Sequence, residues 1–290
     1  MNKPIKTKTI KDKTIHSIKY TKYDNLEYLK NWCNKHKVKY DYSINNNKII
    51  FNFYDKINLN YATFHLKKIL DLKSIYLNDK SLKLFKIGNV KVNYDSIVFS
   101  LGNATNCINR FNGNCQLKNP NNCYAYKEEL IYKSCKHFRN KQYKYFLNND
   151  INNIVKDIIK VKNIMDNKKS KVYIYPKIKY IRLNESNDIK TLNEFKKIKQ
   201  LAIKLRKYGI TIYTYSSSNH LNKYFKKHKV SNLILNGSNN MLDNRYKVIT
   251  KKDLDKYKNK SKYVFCKNDC NICNYCKYKH KNTIIQILHK

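Results

Sequence analysis

The spacing of hydrophobic positions along this chain changes more than once, and the changes divide it into parts. HSIKYTK, from residue 16, alternates as a strand does, and residues 24–37 carry apolar positions at helical spacing behind Asp24. KVKYDYS and KIIFNFYD then alternate again around a turn at 45–47. A second helical stretch over about 60–72 and the short run SIYL complete the order βαββαβ, which predicts a small ferredoxin-like α+β domain within residues 1–85. Such a fold hosts many functions and assigns none. Cys33 falls on the apolar face of the first of these helices and reads as a buried, inert thiol. Residues 78–96 read as a linker.

A different rhythm follows. The apolar run at 97–101 reads as a buried strand that Gly102 and the Asn-rich residues after it terminate. From Tyr124 to about residue 147 the pattern is helical, with Ile131, Cys135 and Phe138 spaced to share one face, and 150–166 forms a second amphipathic helix. VYIYP and KYIRL are extended, TLNEFKKIKQLAIKLRKYG is a capped helix closed by Gly209, ITIYTYS is a strand, HLNKYFKKH a helix and NLILNG a strand. Strand and helix alternating at this spacing predict an α/β domain over 90–260 with a parallel sheet, whose ligands bind at the carboxyl ends of the strands. Polar groups stand at three such ends, in residues 184–188, 216–218 and 236–238, and the loop after residue 101 belongs to the same rim.

Composition adds a folded body but little chemistry. The 290 residues are 41% hydrophobic, enough for a substantial core. The net charge of +41 invites nucleic acid. The basic excess is Lys, however: only five of the 61 basic residues are Arg (Arg110, Arg139, Arg182, Arg206 and Arg245), whereas bidentate readout of bases and phosphates favours Arg. Lys is spread along the chain beside abundant Asn, Ile and Tyr, as in the products of AT-rich genomes. Nonspecific association with nucleic acid at low salt is the most this charge implies. No apolar run reaches the ~18 to 20 residues of a membrane span, and the N-terminus lacks the core of a signal peptide, so a soluble cytoplasmic protein is expected, with no membrane partner.

Nine cysteines in such a chain point to metal rather than disulfides. Cys266, Cys270, Cys273 and Cys276 are separated by three, two and two residues, the close spacing that wraps a 4Fe–4S cube rather than the two separated knuckles of structural zinc, though zinc stays open. Cys107, Cys115 and Cys123 lie on the loop after the first strand of the α/β domain, with seven residues in each gap. Three thiolates on a cube leave one iron open to the amino and carboxylate groups of S-adenosylmethionine. The usual CxxxCxxC spacing of that chemistry is not met. The rival reading adds Cys135 or His137 as a fourth ligand and makes the site structural.

SLGNATNC, the later cysteines ending in CYA, RLNESNDI and YTYS together resemble the phage gene-product-88 domain family over about residues 90–276. That resemblance implies a radical-SAM-like partial (βα) barrel, and a host-cytoplasm location if the chain is phage-encoded. On it Cys107, Cys115, Cys123 and Tyr124 match the cysteine loop, and Arg182, Ser186 and Asp188 match an Arg-x-x-x-Ser-Gly-Asp segment, with Asn187 in place of the glycine. Ser216 stands where the family commonly has Lys. Asp188 or Glu185 would contact an adenosyl cofactor. Asp188 reads equally as a residue favouring the dipole of the helix that starts near Thr191, and Ser216, Ser218 and His220 as polar residues at a strand end and helix start. The expectation is an uncharacterised iron–sulfur protein with one or two 4Fe–4S clusters, an open one on the loop and a closed one in residues 261–290. The alternative is a non-catalytic metal-stabilised module that binds nucleic acid. The substrate is not readable.

Overall fold

The computed structural model describes residues 83–288, apart from 89–91, 93–94, 118, 168–175, 259, 269 and 271–272, together with the backbone of four strands nearer the N-terminus. The chain divides into two compact units, Met1–Asn78 and Asp79–Lys290.

In the first unit β1 (Thr7–Ile10), β2 (Lys13–Tyr20), β3 (Tyr40–Asn45) and β4 (Lys48–Phe53) form an antiparallel sheet in the order β1-β2-β4-β3. Three of these strands are the expected ones, and β4 lies between β2 and β3 as a split βαβ arrangement requires. The hairpin strand β1, beside β2, is an addition that the polar TKTI stretch did not announce. The two expected helices, Cys33 and SIYL lie outside the described residues.

The second unit is mixed α/β and is built on an eight-stranded sheet. Its strands are β5 (Lys86–Ile87), β6 (Ser96–Phe99), β7 (Tyr180–Leu183), β8 (Thr211–Ser216), β9 (Leu233–Ser238), β10 (Asn244–Ile249), β11 (Tyr263–Phe265) and β12 (Thr283–Ile287). The order is β5-β6-β7-β8-β9-β10-β12-β11, parallel throughout except for β5. The stretch read as a linker supplies β5, and Phe85, Ile87 and Val92 are buried in this unit. Residues 261–290 are likewise no appendage, because β11 and β12 complete the sheet.

The helices are α1 (Ile108–Phe111), α2 (Tyr124–Ile131), α3 (Lys133–Asn148), α4 (Ile151–Asp166), α5 (Leu192–Leu205) and α6 (Asn222–Lys227). Asp150 caps α4 by accepting from the backbone N–H groups of Asn152 and Asn153. Thr191 and Glu194 form a capping box on α5, after which Gly209 turns the chain at φ 67°. The single helix expected over 124–147 is two: Tyr132, extended at φ −119° and ψ 94°, separates α2 from α3. The break rotates the faces, so Ile131 is 70% exposed while Arg139, Gln142 and Phe146 turn inward.

Register fixes what each face of the sheet carries. Ile97, Phe99, Ile181, Leu183, Ile212 and Leu233 point to one side and are buried, with Tyr145 of α3 edge-on to Phe99 at 6.3 Å. The opposite side carries Tyr180, Arg182, Tyr213, Tyr215, Asn236, Asn244 and Tyr246. A polar, aromatic face on an interior sheet requires a cover that can hydrogen-bond.

Candidate functional site

The loop after β6 is locked in place where it leaves the strand. Gly102 has φ 113°, and a Cβ there would stand 2.8 Å from Asn187 Nδ2. Ser186 Oγ donates to the Gly102 carbonyl at 2.5 Å, and Asn187 Nδ2 donates to that of Asn103 at 2.9 Å. Behind them lies a buried ion pair. Arg139 Nη1 reaches Glu129 Oε1 at 2.9 Å, both side chains only 1% exposed, and the same carboxylate accepts from the backbone of Ala104 at 2.7 Å and of Thr105 at 3.0 Å. Arg139 also contacts Glu128. Sequence reasoning passed over this pair because charged residues in a helix read as solvated surface.

Further on, the loop crosses the rim. Asp188 is buried, and its Oδ2 accepts from Asn109 Nδ2 at 2.8 Å, Ser217 N at 2.7 Å and Ser217 Oγ at 2.8 Å, while Oδ1 takes the Ile189 N–H at 2.7 Å. Asn109 also donates to Ser218 Oγ at 2.8 Å, and Ser218 N donates to Ser216 Oγ at 3.2 Å. One carboxylate thus joins the loops after β6, β7 and β8, and burial raises its pKa above 3.8 despite these donors. At the far side Gln116 lies along β10: its Nε2 donates to the Tyr246 carbonyl at 2.7 Å and its Oε1 accepts from Val248 N at 2.7 Å. The amide stands in for a strand where β9 stops.

The loop cysteines are carried over this network. Burial raises the Cys107 thiol to about 12, with backbone N–H groups of Arg110 and Asn109 favouring the thiolate and Asp188 and Cys115 opposing it. Cys115 is likewise raised by burial, takes an N–H from Leu117 at 3.4 Å, and has Cys123, Asp188 and Arg110 as electrostatic neighbours. Lys190, its pKa lowered by burial, lies near Cys107. Cys135 keeps other company, namely Arg139, Glu128 and Glu185, and His137 is exposed. His220 is exposed and bonds the Lys190 carbonyl.

Tyr124 follows Cys123 and is 50% exposed; its hydroxyl donates to the Glu185 carbonyl at 2.7 Å and accepts from Arg182 at 3.3 Å. The Glu185 carboxylate is engaged by Lys86 at 2.8 Å, and although burial pushes its pKa up, Lys86, Arg182 and Arg139 bring it below 4.5.

The second cysteine group covers the aromatic face. After β11 the chain passes beneath the sheet residues: Asn236 Nδ2 donates to the Cys276 carbonyl at 3.0 Å and Asn244 Nδ2 to that of Tyr278 at 2.7 Å. Lys277, 2% exposed, pairs with Asp95 at 3.2 Å and sits 4.3 Å above the Tyr180 ring. Burial raises Cys276 to about 12, with the Tyr215 hydroxyl bonding its sulfur and Cys266, Cys270 and Cys273 raising it further. Cys266 is raised by burial and takes an N–H from Asn268.

Four of the seven sulfurs in the two groups, those of Cys107, Cys115, Cys266 and Cys276, receive N–H or O–H donors, which suit thiolates, while burial opposes that charge. Among the described residues, though, no three His, Cys, Asp or Glu side chains converge closely enough to hold an ion, and none of the eight described cysteines is disulfide-bonded. No described helix is long and apolar enough to cross a membrane. No family model, no curated protein and no solved structure matches the chain.

Proposed function

We propose that this chain is an iron–sulfur protein of radical-SAM-like type, with the sheet as a partial (βα) barrel, an open cluster on Cys107, Cys115 and Cys123, and a closed one on Cys266, Cys270, Cys273 and Cys276. The observation that carries the reading is the placement of the three-cysteine loop across the carboxyl ends of parallel strands that follow one another in chain order, where α/β enzymes bind their ligands. When bound, a cube with one iron not held by protein would supply the electron that cleaves S-adenosylmethionine.

The polar residues of the rim then divide by role. Asp188 and Ser186 are positioning residues, their acceptors and donors spent on holding loops. Tyr124, half exposed beside Cys123, is the side chain best placed to touch a ligand. Thiols that lie near one another without converging make metal binding and loop ordering a single event, so affinity depends on the anchors beneath the loop.

Anaerobic reconstitution with ferrous iron and sulfide should give a brown protein that makes 5′-deoxyadenosine from S-adenosylmethionine under dithionite. Replacing Cys107, Cys115 and Cys123 by Ala should abolish that product. A colourless protein holding zinc would instead favour a metal-stabilised module whose basic surface meets nucleic acid.

A further inference from the structure

The loop that crosses the rim holds a positive charge without a counter-charge. Arg110 in α1 is only 9% exposed, and its guanidinium lies between two rings, 4.5 Å from the Phe111 centroid and 4.6 Å from that of Tyr126. Its Nη2 donates to the Thr105 carbonyl at 3.1 Å, whereas its Nε is buried without a partner. Arg139 has Glu129 and Glu128 beside it; Arg110 pairs with no carboxylate among the described residues. Between Asp95 and Glu128 the sequence contains no acidic residue.

The outer ring of this stack is uncovered. Phe111 is 66% exposed, with Arg110 over one face, and the exposed neighbours along the loop are mostly amides: Asn106, Asn112, Asn119, Asn121 and Asn122. A ring backed by a guanidinium, in a stretch without acid on a chain of net charge +41, fits a ligand that joins flat faces to negative charge. An acidic peptide brings the charge without the flat faces, and a lipid surface calls for a continuous apolar face where asparagines stand here. A duplex has its base faces already stacked. We propose that the rim loop binds single-stranded nucleic acid, with a base stacked on the open face of Phe111, Arg110 on the other face supplying positive charge, and lysines meeting the phosphates. Stacking accepts any base, so the contact selects unpaired strand and not sequence. The stack forms without metal, so this inference stands apart from the iron–sulfur reading; where both hold, unpaired nucleic acid is the substrate class of the rim.

Fluorescence anisotropy on the full-length protein, with labelled oligothymidylate and oligouridylate of about 15 nucleotides, tests this. At about 0.1 M salt at least one of these strands should bind more tightly than a duplex of the same length, and a preference between them names the source as DNA or RNA. Phe111→Ala, at an exposed position, should weaken single-strand binding about tenfold, the worth of one stacked base, while the salt dependence stays parallel to that of wild type because no phosphate contact is lost. Phe111→Trp should keep the affinity, and its fluorescence, read above that of Trp32, should be quenched by the strand. Tyr208→Ala is the control. That ring is also exposed beside a lysine, Lys207, but it precedes β8 and so lies at the opposite end of the strands, and its loss should change nothing. Undiminished binding in Phe111→Ala, an equal loss in Tyr208→Ala, or a duplex bound as tightly as either strand would overturn the proposal. A protein that binds the strand as described yet makes no 5′-deoxyadenosine defeats the enzyme reading alone, a separate failure.

Discussion

The rim loop and the C-terminal segment both carry cysteines, yet they are held by side chains of different kinds. The rim loop hangs on carboxylates and amides: Glu129 with Arg139 at its start, Asp188 with Asn109 in its middle, Gln116 at its end. Its own large side chains Ile108 and Phe111 stay exposed. The C-terminal segment lies against tyrosines, fixed by Asn236, Asn244 and the Lys277–Asp95 pair, and Cys276 is among the most strongly raised thiols. Carboxylates and amides bonded to loop backbone fix the first segment, whereas the second adds contact with an aromatic wall to its own amide bonds, and burial raises a thiol to about 12 in each.

The comparison breaks most readily at Glu129. Glu129→Gln removes the most deeply buried of the charge partners of Arg139, leaving the partly exposed Glu128 and the more distant Glu185, and should cost on the order of 3 kcal/mol. Urea unfolding should register the loss, and thiol labelling should accelerate at Cys107 while Cys276 keeps its protection. Equal acceleration at both would show that the two are not separately anchored. Lys277→Met works on the other side. It removes a charged hydrogen bond from Asp95 and should cost about 2 kcal/mol, loosening Cys276 first. Thiol labelling of metal-free protein should then accelerate at Cys276 and not at Cys107.

A finer test uses two carboxylates three residues apart in the loop after β7. Asp188 has its pKa raised by burial, so it holds its proton more tightly folded than unfolded; the stability it contributes is full below 3.8 and is lost as pH rises through the folded value. Glu185 is the reverse. Its net shift is downward, so its contribution is present above 4.5 and lost as pH falls through the folded value. Urea midpoints across the acid range should therefore lose their falling limb in Asp188→Asn and their rising limb in Glu185→Gln. Matching profiles for the two variants would show that the residues share one environment.

Much of the α/β unit was legible because its signals are local. Alternation and caps marked β7, β8, β9 and α5, and the polar strand ends at 184–188 and 216–218 do meet the cysteine loop through Asp188, Asn109 and Ser217. The break at Tyr132 was invisible, since nothing in YAYKEELIYKSC contradicts a continuous helix. Lys277 passed as one more surface lysine, because composition cannot say which of many lysines finds a buried aspartate. The C-terminal seat on the sheet was out of reach for a related reason: it depends on pairing between strands far apart in sequence. Those tyrosines alternate along β8 as readily as solvent-facing residues would.

Gln116 has a meaning beyond the loop it ends. By occupying the Tyr246 carbonyl and the Val248 N–H, it blunts a stretch of exposed strand edge that would otherwise invite any extended peptide to pair there. The cysteine loop is therefore also a guard against self-association. A molecule whose rim loop has come away presents a sticky edge, and in a cell such molecules would be recognised less by a missing activity than by their tendency to aggregate.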